Sequence, residues 1–232
     1  MGRYTSAYSA FVLRLDEVEL LRNCAARKEK EDPIVLMREI NALCRGGIVL
    51  LSSHLEAYIR GLGELALERM HTEGVPRDSI PPRFYYHISK DIVDEIKDTS
   101  DPDKIAGKLF TFLETDQSYW AQTGPFPKAL PVDRFNLGFS SPAFDKITAY
   151  FNRFGYSGYR NDMARVLRAD YTSTVNMVRH LVDIRNKIAH GDLVTTKTPG
   201  DVKGMIDIIR KYCATTDAVF ASWCRSQLCS IR

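Results

Sequence analysis

Apolar residues recur at three-four spacing over residues 9–30, the mark of an amphipathic helix, and Asp32-Pro33 ends that run. A longer stretch follows over residues 34–72. Along it Ile48, Leu51, Leu55, Ile59, Leu62 and Ala66 share one face, which predicts a second, long helix. Gly61-Leu62-Gly63 inside it lacks the preceding strand, third glycine and Lys-Ser/Thr of a phosphate loop, so close helix packing is the better reason for the glycines. The middle is less regular. Shorter helices are expected over residues 85–98 and 103–114, followed by a proline- and aromatic-bearing stretch over 119–139 with no clear period. Ser141-Pro142 opens a helix to about Phe154, with Gly155 placed for a left-handed cap.

Two helices close the chain. Asp170 is expected to cap the first, over residues 171–189 or 190, and Gly191 to end it. Thr198-Pro199-Gly200-Asp201 supplies a cap, a first-turn proline and an early carboxylate for the last, which buries Val202, Ile206, Ile209, Cys213, Phe220 and Trp223. No repeat, low-complexity tract or linker divides the chain. The expectation is therefore one all-α domain over residues 1–232, a helical bundle with extra short helices in its middle segment.

Charge narrows the partners only a little. With 32 Lys and Arg against 29 Asp and Glu, the net charge of +3 cannot make the whole surface a polyanion binder, so such a partner needs a local basic patch. Five cysteines without paired short spacings suit neither a disulfide framework nor a zinc ribbon; reduced, mostly buried thiols are expected. The longest apolar run, Ile48 to Leu51, is far short of the roughly 20 residues of a membrane helix, and no signal-peptide core opens the chain, which points to a cytoplasmic protein without a membrane partner. MGRYTS at the start fits the loose myristoylation pattern, a pattern that many sequences match by chance. His71 and His87 are isolated, His54 is expected to face solvent or serve structure, and His180 lies beside Arg179 on a polar face; none has metal-ligand spacing, so neither metal nor cofactor is expected.

The helix before the last contains a residue that packing does not call for. Val175, Met177, Val178, Leu181, Val182, Ile184 and Ile188 form a broad apolar stripe, and Arg185 falls near its middle. A guanidinium keeps its charge, so burying it alone would cost several kcal/mol. Either it finds a carboxylate, or the stripe there faces a cleft or interface open to polar ligands. His190 follows about 140° around and about 7.5 Å along the axis, beside the last carbonyls of the helix, where a cationic side chain is favoured. A histidine there can give or take a proton near neutral pH. Asn186 projects between the two.

Arg185-Asn186-Lys187-Ile188-Ala189-His190 resembles the motif of the HEPN superfamily, an Arg, a polar residue, a short spacer and a His at a helix end. Residues 48–60, with Glu56, Tyr58 and Arg60, resemble the signature helix of the RiboL-PSP-HEPN branch, and Phe151-Asn152-Arg153-Phe154-Gly155 followed by RNKIAHGD keeps that branch's order. The resemblance implies a helical domain that forms a homodimer, with the Arg-His helices of two subunits around one RNA-binding cleft. It further implies a metal-independent endoribonuclease that leaves a 2′,3′-cyclic phosphate and a 5′-hydroxyl, acting as a toxin or effector of a bacterial defence or toxin–antitoxin system and restrained by an antitoxin or other regulatory protein. Arg185, Asn186 and His190 would be catalytic, and Glu56 would hold Arg185. Lys187, Arg179 and Arg60 would contact RNA, within a basic group that also includes Lys197, Lys203, Arg210 and Lys211. The alternative is a catalytically silent dimeric module that binds RNA or a protein. Plainer roles stand beside these: a structural ion pair for Arg185, a capping role for His190, a solvated face for the basic group, and core packing for Tyr156, Tyr159 and Tyr171.

Overall fold

The computed structural model describes residues 4–121, 123–192 and 196–232, so the acylation pattern at Gly2 lies outside the described residues. Helices α1 (Ser6–Glu31) and α2 (Met37–Thr72) form an antiparallel hairpin. Phe11, Leu15 and Val18 of α1 are fully buried, as are Ile48, Leu51, Leu55 and Ile59 of α2. The second helix starts three residues later than its apolar pattern suggested. The Asp32 carboxylate accepts the Ile34 and Val35 N–H groups at 3.1 and 3.0 Å, and that local turn holds the chain out of the helix.

A series of short helices follows α2. The stretch expected as one helix over 85–98 is two, α3 (Pro82–Ile88) and α4 (Lys90–Lys97). They part at Ser89, whose backbone leaves helical geometry while its buried hydroxyl accepts the Trp120 indole N–H at 2.9 Å. Helix α5 (Pro102–Thr115) is capped by Asp101, which accepts the Asp103 and Lys104 N–H groups. Helix α6 (Val132–Asn136) arises inside the aperiodic stretch and buries Phe135 among Phe84, Tyr150 and Phe154. Helix α7 (Phe144–Arg153) ends where expected, with Gly155 at φ 99° and the Tyr156 N–H returning to the Phe151 carbonyl. Helix α8 (Tyr159–Leu167) went unforeseen; its Tyr159 hydroxyl bonds Tyr212 and Thr216, both at 2.8 Å.

Helices α9 (Tyr171–Ala189) and α10 (Pro199–Gln227) complete the bundle. Asp170 does not cap α9 with its side chain. A 3₁₀ turn over Arg168–Asp170 leads directly into the helix, and the Asp170 carboxylate pairs with Lys211 at 2.6 Å instead. The start of α10 is a full capping box between Thr198 and Asp201. This helix lies alongside α2: Val202 approaches Gly47, the Tyr58 hydroxyl donates to the Cys213 carbonyl at 2.9 Å, and Cys229 beyond its end reaches the Ala66 carbonyl. Asp217, fully buried on α10, accepts both the N–H and the hydroxyl of Thr5, the N-cap of α1. Tyr156 and Tyr159 are core residues and Tyr171 packs against the core. Four of the five cysteines are buried and Cys24 is half-buried. Among the described residues there is no strand, and no helix is long and apolar enough to cross a membrane.

Two glycines two residues apart on α2, and so on opposite sides of the helix, should respond oppositely to alanine. A Cβ at Gly63 would lie 1.9 Å from the Tyr150 hydroxyl, which is buried and bonded to Asn136, whereas one at Gly61 would meet only Ala7 at an ordinary 3.5 Å. Gly63→Ala should therefore cost about 1–3 kcal/mol, while Gly61→Ala should gain up to about 1 kcal/mol from helix propensity; thermal unfolding of both checks this.

His87 supplies a pH test. Its Nδ1 is buried without a partner, and burial first, then Arg153 and Lys90, lowers its pKa to about 4. The unfolded chain takes up this proton near pH 6.5 and the folded chain near 4. This stability is complete above pH 6.5 and lost as pH falls towards 4. His87→Leu should flatten the fall in melting temperature between pH 7 and 5; an unchanged slope would remove His87 as its source.

Candidate functional site

Helix α9 meets α2 and α10 through Val175, Val178, Leu181, Val182 and Ile184, all at most 5% exposed. Burial of that stripe fixes the rotation of the helix and so the direction of its other side chains. Arg185 sits at the edge of the stripe, its side chain 25% exposed. Its Nη2 lies 3.7 Å from Glu56 Oε2 on α2, and its Nη1 donates to Asn186 Oδ1 at 3.0 Å. The carboxylate required by the apolar setting is thus present, and an open face remains. A partly exposed pair at 3.7 Å is weak, so it orients the guanidinium without locking it.

Glu56 also holds Arg60. The two are one turn apart on α2, with Glu56 Oε1 at 3.0 Å from Arg60 Nη2, and Arg60 donates to the Phe139 carbonyl as well. One carboxylate therefore lies between two guanidiniums. Arg60, for which RNA contact is expected, also braces Glu56 and the segment before α7. Nothing in residues 48–60 alone shows the Phe139 contact, because it joins positions 79 apart in sequence.

His190 is the C-cap of α9 and is exposed. The backbone turns sharply just after it. The Gly191 N–H bonds the Ile188 carbonyl at 3.1 Å, the Asp192 N–H bonds the Lys187 carbonyl at 3.0 Å, and Gly191 has φ 84°. These paired bonds form a Schellman motif, which requires the left-handed residue that glycine provides at least cost. His190 is thereby displayed at the end of the helix, with no hydrogen-bond or ion-pair partner for its ring among the described residues.

The basic group is less free than its composition suggests. Lys203 pairs with Asp207 at 3.2 Å, Lys211 with Asp170, and Arg179 lies 3.7 Å from Asp145, which also holds Arg160. Lys187 stays exposed on the motif turn and Lys197 is half-buried. Arg179 and His180 help line a shallow 440 Å³ depression on the outer side of α9. His54 is half-buried against α1, with Nε2 at 3.3 Å from Glu17, so it serves the hairpin. No group of three or more His, Cys, Asp and Glu among the described residues is arranged to hold a metal ion.

Arg185, Asn186 and Glu56 are thus brought together, with His190 on the same helix end and Arg60 behind Glu56. Residues 14–222 match the model of the RiboL-PSP-HEPN family. Neither curated proteins nor solved structures give a match. Because the family match runs from within α1 to within α10 and encloses both Glu56 and the Arg185-to-His190 turn, the chain belongs to the RiboL-PSP-HEPN family.

Proposed function

We propose that the chain is a metal-independent endoribonuclease that works as a homodimer, with the α9 ends of two subunits facing each other across one RNA cleft. The family suggests a nuclease or RNA-binding module. The observation that carries the sharper reading is Arg185, held by Glu56 at a half-exposed rim while His190 stands free five residues on. A guanidinium so placed can offer parallel N–H donors to a phosphate and stabilise the charge that grows on its oxygens.

Cleavage within the RNA needs a proton taken from a 2′-hydroxyl and another given to the departing 5′-oxygen. The 2′-oxygen then closes on phosphorus as the P–O5′ bond breaks, leaving a 2′,3′-cyclic phosphate and a 5′-hydroxyl. A histidine can perform either transfer. One subunit offers a single free histidine at this site, and two facing subunits offer both an acid and a base. Asn186 sets the Arg185 fork, and Lys187 and Arg179 add charge along the path of the strand. A toxin or defence effector restrained by a regulatory protein is the setting that this chemistry and the family favour.

Purified protein and an RNA pool in excess chelator test the reading. The parent should cut, His190→Ala should lose about 10²–10⁴-fold and Arg185→Ala about 10²–10³-fold, with melting temperatures preserved. Glu56→Gln should lower activity while the chain stays folded. Intact RNA with the parent would favour the silent binding module, and equal cutting by both alanine variants would place the chemistry elsewhere.

A further inference from the structure

Beyond the C-terminal end of α2, a second concave feature lies well away from this site. Arg77, Asp78, Ile80, Pro82, Tyr85 and Trp120 line a cavity of about 380 Å³. The helix rise from Glu56 to Thr72 alone spans roughly 24 Å. The walls are built before any ligand arrives. Arg77 pins the loop opposite it: its Nε donates to the Thr123 and Gly124 carbonyls, both at 3.1 Å, and Nη1 donates to the Ser118 carbonyl at 2.6 Å. The Tyr85 hydroxyl donates to the Arg77 carbonyl at 2.8 Å and the Trp120 indole N–H is taken by Ser89, so what these side chains offer a ligand is ring surface, chiefly that of Trp120. Tyr85 and Trp120 lie with centroids 5.7 Å apart; Trp120 is 38% exposed and Tyr85, deeper in the wall, is 9% exposed. The Asp78 carboxylate is exposed and has no hydrogen bond or ion pair among the described residues.

We propose that this cavity is a subsite for a guanine base, its ring against Trp120 and Tyr85 and its N1–H and amino group on the Asp78 carboxylate. Stacking on aromatic side chains is how unpaired bases are held. The carboxylate decides which base. Guanine presents two adjacent donors that match two carboxylate oxygens, whereas adenine, cytosine and uracil have acceptors beside their donors on that edge. A planar cation, such as the arginine of a partner protein, would present similar donors. The positive charge of Arg77 in the same wall opposes a cation and favours a neutral base. The assignment to RNA rests on the ribonuclease reading, while its test needs no cleavage.

The probe is the indole N–H resonance of Trp120 in ¹⁵N-labelled full-length protein, identified as the peak that remains in Trp223→Phe. Titration with GMP should move it saturably, and AMP should need at least fivefold more nucleotide. Asp78→Ala should bring GMP to the level of AMP, and His190→Ala should change neither, which separates this site from catalysis. An unmoved peak, equal response to GMP and AMP, or undiminished GMP binding by Asp78→Ala would overturn the proposal. Tighter response to arginine amide than to GMP would also overturn it and make the cavity a protein-docking pocket.

Discussion

A guanidinium beside an apolar stripe must keep a counter-ion within reach, and the pairing of Arg185 with Glu56 meets that condition across two helices. The rest of the site depends on it. Because α2 and α9 pack through their apolar faces, the carboxylate and the guanidinium meet at the edge of the core, where water and a phosphate can also reach. The pair is loose at 3.7 Å, while Arg60 holds the same carboxylate at 3.0 Å. If Arg185 turned to a phosphate, as the proposed chemistry requires, Arg60 would keep Glu56 partnered and no charge would be stranded.

The two ends of the loop between α9 and α10 are set by local backbone chemistry. The Schellman motif at Gly191 stops α9 one residue beyond Ala189, and the Thr198–Asp201 box starts α10. His190 is thereby fixed as the C-cap of α9, its N–H still bonded to the Asn186 carbonyl at 2.9 Å. Its place relative to Arg185 then follows from helix geometry.

Much of this was legible in the sequence, and unevenly so. The long helices are patterned over enough turns for periodicity to show them, and Gly155, Gly191 and Thr198 mark their ends by rules that operate within a few residues. Arg185 was visible as a charge where packing wants an aliphatic side chain, and Glu56 as its partner through the family signature. What escaped depends on distant contacts. The break at Ser89 comes with the Trp120 bond, α6 is five residues long, and α8 shows only Tyr159, Met163 and Leu167 against a charged background. The buried Asp217 is explained by Thr5, 212 positions away. The bracing role of Arg60 was half visible, since Glu56 and Arg60 stand at helical spacing, and half hidden in the Phe139 carbonyl.

In the proposed reaction Arg185 and His190 direct a 2′-hydroxyl onto the adjacent phosphate. The most direct test is a pair of short RNAs with one mapped cut, identical except that one has a 2′-deoxy nucleotide on the 5′ side of the cut phosphate. The deoxy strand should stay whole at that position, while the all-ribose strand should end in a cyclic phosphate. Equal cutting of both strands would contradict that reaction.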